Sequence, residues 1–201
     1  MVSDDGPVDP HLTERGLWQA EQLGEWLAHE SIDHVVASDK TRAIQTAAPA
    51  AKRLGLETEI LPDLAEIDRN ARIYGSPEVL AERYPDYFEA MRQGEFEKIG
   101  WDSFDVFRER VLDAWSDLVA APRGERVLVA CHGGTIGVIL SHVIGTSSHS
   151  VFESTPYASV SRMLVIGAEA RLRTLHEVAH FDGRREDTHG VEGPDGLERA
   201  R

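Results

Sequence analysis

Two groups of side chains in this sequence have the types and spacing to handle an anion. Val127-Leu128-Val129-Ala130-Cys131-His132-Gly133-Gly134-Thr135-Ile136 reads as a buried strand that stops at a histidine and two glycines and gives way to a helix. Four consecutive apolar residues between Gly124 and Gly133 predict a central strand covered on both faces. Ile136, Ile139, Leu140, Val143 and Ile144 then recur at helical spacing, and Gly145 ends the run. His132 therefore stands at the C-terminal end of a strand, just before a helix N-terminus, where open α/β sheets bind ligands. Free backbone N–H groups and the helix dipole at such a place favour an anion, most obviously phosphate. On position alone, a hydrogen-bonded histidine in a tight turn explains the same residue equally well.

The second group lies earlier in the chain. Val35-Val36-Ala37-Ser38 is a short apolar strand, and Asp39 to Ala47 opens the next helix, with Ile44, Ala47, Ala48, Ala51 and Leu54 as its expected buried stripe. Arg42 falls in the first turn, where a cation opposes the helix dipole and gains nothing locally. A bidentate anion at the strand end accounts for it, although a solvated arginine is compatible with the same spacing.

Taken with Asp9-Pro10-His11-Leu12-Thr13-Glu14-Arg15-Gly16 and Gln19-Ala20, these residues resemble the histidine phosphatase superfamily, which contains the phosphoglycerate mutases. The family's D-x-x-L-T-x-x-G, S-x-x-x-R-A-x-x-T-A and S-H-G-G patterns occur in order, the last varied to Cys131-His132-Gly133-Gly134, and the likeness runs from about Asp9 to about Phe181. The resemblance implies that Arg42, His132 and Gly133 bind phosphate. It also implies that Glu66, in Leu64-Ala65-Glu66, protonates the leaving-group oxygen. An alkoxide needs such a donor at neutral pH, and a buried glutamate can hold its proton. The family's following G-x-W-E-G is replaced by Ile67-Asp68-Arg69-Asn70, so Asp63 and Asp68 stand as alternatives.

The resemblance also shows a departure. In the family an Arg-His-Gly ends the first strand and its histidine is the nucleophile, yet no Arg-His-Gly occurs anywhere in the 201 residues. The sequence opens Met1-Val2-Ser3-Asp4-Asp5-Gly6, inside the loop that follows that motif in the family. The expectation is a start assigned too far downstream, which the abrupt entry favours, or a truncated chain. Either would leave the 201-residue form nearly inactive, with neighbouring strands unpaired along an edge that favours marginal stability or a homodimer.

Composition bounds the remaining readings. A chain of 201 residues suits one domain with a sizeable core. A net charge of −14 argues against nucleic acid or an anionic membrane as partner. One cysteine and no apolar run approaching ~18 residues predict a cytoplasmic protein that neither spans a membrane nor carries an intrachain disulfide. His176-Glu177-Val178-Ala179-His180 is a literal H-E-x-x-H, but zinc binding needs both histidines on one helical face, and Arg171 to Leu175 reads as strand. Cys131 and His132, adjacent on a strand, point to opposite faces and make a poor nucleophile–base pair. No metal or cofactor is expected.

The elements needed to position these groups alternate. Thr13 is a helix N-cap with Leu17, Ala20, Leu23, Gly24 and Leu27 inward. A short strand at Thr58 to Leu61 follows the Arg42 helix. Residues from about 69 to 103 form an insertion with Ser76-Pro77-Glu78 as a helix start. Phe104, Phe107, Val111, Leu112, Trp115, Leu118 and Val119 mark an amphipathic helix, and two closing strands flank Gly167. Residues 1–181 are thus expected to form a three-layer α/β/α sandwich on a mostly parallel sheet, phosphoglycerate mutase-like with its first strand missing. Residues 182–201 are read as a polar, disordered tail. The expected activity is phosphatase-type transfer from the ester of a phosphorylated small molecule or phosphoprotein, through a phosphohistidine absent from this chain. A non-catalytic anion-binding module and a mutase-like phosphotransferase are the alternatives.

Overall fold

Local sequence determines most of the element order. The computed structural model describes residues 1–3, 6–75, 77–121, 123–146, 155–167 and 169–181. The expected tail at 182–201 and the helix-start residue Ser76 lie outside the described residues. Helix α1 spans Glu14–Leu27, β1 His34–Ala37, α2 Thr41–Leu54 and β2 Thr58–Ile60. The 69–103 segment holds two short helices, α3 (Pro77–Arg83) and α4 (Pro85–Gln93), then a 3₁₀ turn at Phe96–Ile99. Helix α5 (Phe104–Ala120), β3 (Val127–Ala130), α6 (Gly133–Val143), β4 (Val160–Ile166) and β5 (Glu169–Glu177) follow, with a 3₁₀ turn at Ala179–Phe181.

Strands β2, β1 and β3 form a parallel sheet in that order, with Val35 opposite Thr58 on one side and Leu128 on the other. Parallel strands need crossovers that return to the same end, and α2 supplies the first. The sheet is flanked by helices: Ala47 and Ala51 of α2 pack on Val35 and Ala37, while Phe107 and Val111 of α5 pack with Val138 and Ile139 of α6. Strands β4 and β5 form a separate antiparallel hairpin, turned at Gly167 with φ 62°.

Three expectations about burial are corrected. The strand covered on both faces is β1, whose Val35, Val36 and Ala37 are fully buried; β3 is only half-buried and among the described residues pairs with β1 alone. The buried face of α2 is Ala43, Ala47, Ala50 and Ala51, and Ile44 and Ala48 are exposed. The cause is the close approach of α1, where a Cβ on Gly24 would lie 2.6 Å from Pro49 Cβ. Only small side chains fit such a seam. Leu17, at the rim of the Ala20–Leu23–Leu27 face, is 45% exposed, and Ile144, beyond the last turn of α6, is also exposed.

A cleft of ≈ 2040 Å³ runs between β3 and β4 and opens at the C-terminal end of the parallel sheet. Val127, Leu128, Val129 and Ala130 line it on one side, and Val160, Met163 and Leu164 on the other.

Candidate active site

The site is built where two strands of the parallel sheet end. Ser38 follows β1, continuing the ladder with its N–H donated to Ala130 O at 3.0 Å. Chain reversal into α2 then places Lys40 at the N-cap and Arg42 in the first turn. Cys131 and His132 follow β3, and His132 is the N-cap of α6. Arg42, His132, Gly133 and Glu66, the four residues expected from the sequence, all line the cleft at this end.

Arg42 is held without being consumed. Its Nη2 lies 3.5 Å from Asp68 Oδ1 and its Nη1 4.0 Å from Asp9 Oδ1. Both are longer than the roughly 2.7–2.9 Å of a tight charge-assisted bond. Its Cζ sits 5.5 Å from the Tyr74 ring centroid, a contact that orients the guanidinium from behind. Lys40 Nζ donates to Arg69 O at 3.0 Å, which anchors the start of the 69–103 segment beside the site.

His132 is buried, and its Nε2 lies 2.6 Å from Ser38 Oγ. Burial, then the neighbouring Arg42 and Lys40 cations, push its pKa down to about 3 against the opposing pull of Asp9. The ring is therefore neutral at physiological pH. Cys131 beside it is pushed up to about 12, chiefly by burial. Its thiol stays protonated and is no nucleophile.

Glu66 is the least local member. Its Oε1 accepts the Ile67 N–H at 2.8 Å and its Oε2 accepts the Gly134 N–H at 2.7 Å. The carboxylate thus occupies the α6 N-terminus, the position that the sequence alone offered to phosphate. Burial nevertheless raises its pKa, outweighing those two hydrogen bonds, while Asp68 adds to the rise and Arg42 opposes it. Asp68 is likewise raised by burial, against the pull of Arg42 and Lys40. Two carboxyl groups that hold protons more readily than usual lower the repulsion an incoming anion would meet. The Glu66 loop is clamped from behind. Arg110 donates to Asp63 O at 2.7 Å, Ala65 O at 2.9 Å and Glu66 O at 3.3 Å, and Thr135 Oγ1 donates to Leu64 O at 3.2 Å.

Of the alternatives to Glu66, Asp68 faces Arg42, and Asp63 shows its backbone carbonyl to Arg110. The H-E-x-x-H segment is strand β5 through Glu177, with His180 in a 3₁₀ turn stacked on Trp26 at 5.2 Å. Ser38 and Tyr74 were not anticipated as site residues. Ser38 carries two signals, its place between the end of an apolar strand and a helix N-cap and its position at the head of the S-x-x-x-R-A-x-x-T-A pattern; Tyr74 carries none.

Fold and site together define an α/β protein with a cleft at the carboxyl end of a parallel sheet, where Arg42, His132 and Glu66 converge. The histidine phosphatase superfamily (branch 1) is matched over residues 4–178, and the chain belongs to it. A relative named "Probable phosphoglycerate mutase GpmB" in Erwinia tasmaniensis is 28% identical over 147 residues, 72% of this chain and 68% of that protein. The metal-independent phosphoserine phosphatase of Arabidopsis thaliana is 33% identical over 153 residues, 71% of this chain and 62% of its own length. The chain thus spans about two thirds of these relatives. Among solved structures, the alpha-ribazole phosphatase of Shigella flexneri superposes with a TM-score of 0.68 at 23% identity, covering 94% of this chain and 93% of that one. The mycobacterial glucosyl-3-phosphoglycerate phosphatase does so with a TM-score of 0.65 at 19% identity, covering 85% and 90%. Phosphoryl transfer is the chemistry common to the family, and among the described residues no helix is long and apolar enough to cross a membrane.

Proposed function

We propose that this site binds the phosphate monoester of a small molecule and serves its hydrolysis through a phosphohistidine. The observation that carries the reading is the convergence of Arg42 and His132, from two different strand-to-helix turns, on one cleft beside a half-buried carboxyl group of raised pKa. Arg42 and His132, with Gly133 at the first position of α6, hold the equatorial oxygens where negative charge is concentrated. Glu66 gives its proton to the leaving oxygen as the phosphoryl group passes to a histidine. It then takes a proton from the water that attacks the phosphohistidine, which returns phosphate and free enzyme. Relatives named for phosphoserine, alpha-ribazole and glucosyl-3-phosphoglycerate phosphatases support an ester of low molecular weight over a phosphoprotein. A single, half-buried thiol is consistent with a cytoplasmic setting.

The accepting histidine is not offered by these 201 residues in the family's Arg-His-Gly form. The half-buried β3, paired on one side only among the described residues and facing the cleft toward β4, supports a further strand at that edge as its carrier. The same open edge supports self-association of the 201-residue form, and residues 69–103, which bring Tyr74 against Arg42, act as the cover of the site. Non-catalytic anion binding is the second reading, favoured by the missing motif.

Phosphate and vanadate test the binding step. Either should raise the thermal midpoint of the 201-residue protein, by linkage worth about 2.7 kcal/mol at a hundredfold excess over Kd. Arg42→Ala should remove most of that protection, and equal protection of parent and variant would displace the anion from this site. Adding upstream sequence that carries Arg-His-Gly should turn on hydrolysis of an aryl phosphate; binding without turnover in that longer protein would leave the second reading.

A further inference from the structure

His132 is neutral, so its ring has one proton to share between two nitrogens, and which nitrogen carries it decides whether the cleft meets a donor or an acceptor. The surroundings of Ser38 settle the matter. Ser38 is fully buried, and its Oγ already accepts the Lys40 N–H at 3.2 Å. Its own O–H must then find an acceptor, because a buried hydroxyl proton left unpaired is costly. Among the described residues the one side-chain partner of that hydroxyl is His132 Nε2, at 2.6 Å. A proton on Nε2 would leave Ser38 with two donors aimed at its oxygen and no acceptor for its own. A bare Nε2 satisfies both groups.

We infer that Ser38 holds His132 in the Nδ1–H tautomer, so that the ring offers an N–H donor from Nδ1 to an anion in the cleft. Ser38 is a positioning residue: it acts through His132 and touches no substrate. The inference rests on the phosphate-site reading for its purpose, but not for its geometry. Arg42 and Lys40 lie close enough to disfavour protonation of the ring, which keeps the second proton off and makes the choice of tautomer matter.

Long-range ¹H–¹⁵N spectra of histidine-labelled protein near pH 7, without ligand, read the tautomer directly. The parent should show His132 protonated on Nδ1. Ser38→Ala should lose that preference and weaken vanadate binding about tenfold, the scale of one lost hydrogen bond. Ser38→Thr, which keeps the hydroxyl, should restore both. An Nε2–H signal in the parent, or an unchanged Nδ1–H signal in Ser38→Ala, would overturn the inference. Should Ser38→Ala fail to fold, the parent tautomer and its retention in Ser38→Thr still decide it. If the tautomer is as inferred but vanadate protects parent and Arg42→Ala alike, the phosphate reading fails while the role of Ser38 stands.

Discussion

The two helices that begin at the site and two that serve the scaffold solve the same problem differently. Every helix starts with N–H groups that lack intrahelical partners. Scaffold helices α1 and α5 cap themselves: Thr13 Oγ1 accepts the Gly16 N–H at 3.2 Å, and Ser103 Oγ accepts the Val106 N–H at 3.4 Å. Helices α2 and α6 have Lys40 and His132 at the N-cap, and neither side chain caps. Remote carboxylates do so instead. Asp9 accepts the Thr41 N–H at 3.0 Å, and Glu66 accepts the Gly134 N–H at 2.7 Å. Delegating the cap frees His132 for the cleft and Lys40 for the Arg69 carbonyl, and ties two loops to the site. The delegated caps differ in turn, since Asp9 is about a third exposed, whereas Glu66 is half-buried and desolvation raises its pKa. The same hydrogen bond is a helix cap in one place and, in the function proposed above, part of a proton-donor site in the other.

The largest expected effect comes from removing the side chain that α6 has released. His132 has its pKa depressed in the fold, so the unfolded chain binds more protons between about 3 and 6.5. Stability from this group is therefore full above 6.5 and falls with pH across that window, by up to about 1.4 kcal/mol per unit. Glu66, raised by burial, has the opposite sign: its contribution is present below 4.5 and is lost as pH rises through its folded value. Denaturant midpoints of parent and His132→Gln against pH separate the two. The variant should lack the steep loss toward pH 3, and parallel curves would contradict a buried, neutral histidine.

Next in size is a contrast within α6. A Cβ at Gly134 would clash with the Glu66 carboxylate, whereas one at Gly137 would meet nothing within 4 Å. Gly137→Ala should stabilise by about 0.5–1 kcal/mol through helix propensity. Gly134→Ala should destabilise by about 1 kcal/mol net, because losing a hydrogen bond to a carboxylate costs roughly 1.5–3 kcal/mol. If urea midpoints of the two variants moved together, Glu66 would not be a cap held in place.

Asp9→Ala should have the smallest effect, about 1 kcal/mol for a lost cap. Asp9→Ser should recover part of it, with faster hydrogen exchange at Thr41 in the alanine variant alone. Exchange unchanged in Asp9→Ala would show that α2 does not depend on its delegated cap.

What could be read from sequence was what neighbours in sequence decide. Thr13 as the α1 cap, the turn at Gly167 and the alternation of short apolar runs with helical stripes follow from hydrogen bonds and periodicities spanning a few residues. The motif positions of Arg42 and His132 were legible for the same reason: each sits at a strand-to-helix junction that local pattern marks. Tertiary structure alone decided the rest. Whether β1 or β3 lies inside depends on which strands flank it, not on its own apolar content. The tight seam at Gly24 and Pro49 turned α2 to bury Ala43 in place of Ile44. Glu66 reaches Gly134 across 68 residues and Ser38 reaches His132 across 94. No propensity encodes such pairings; they exist because the sheet brings the carboxyl ends of β1 and β3 side by side, where burial then sets the proton affinities that the isolated residues lack.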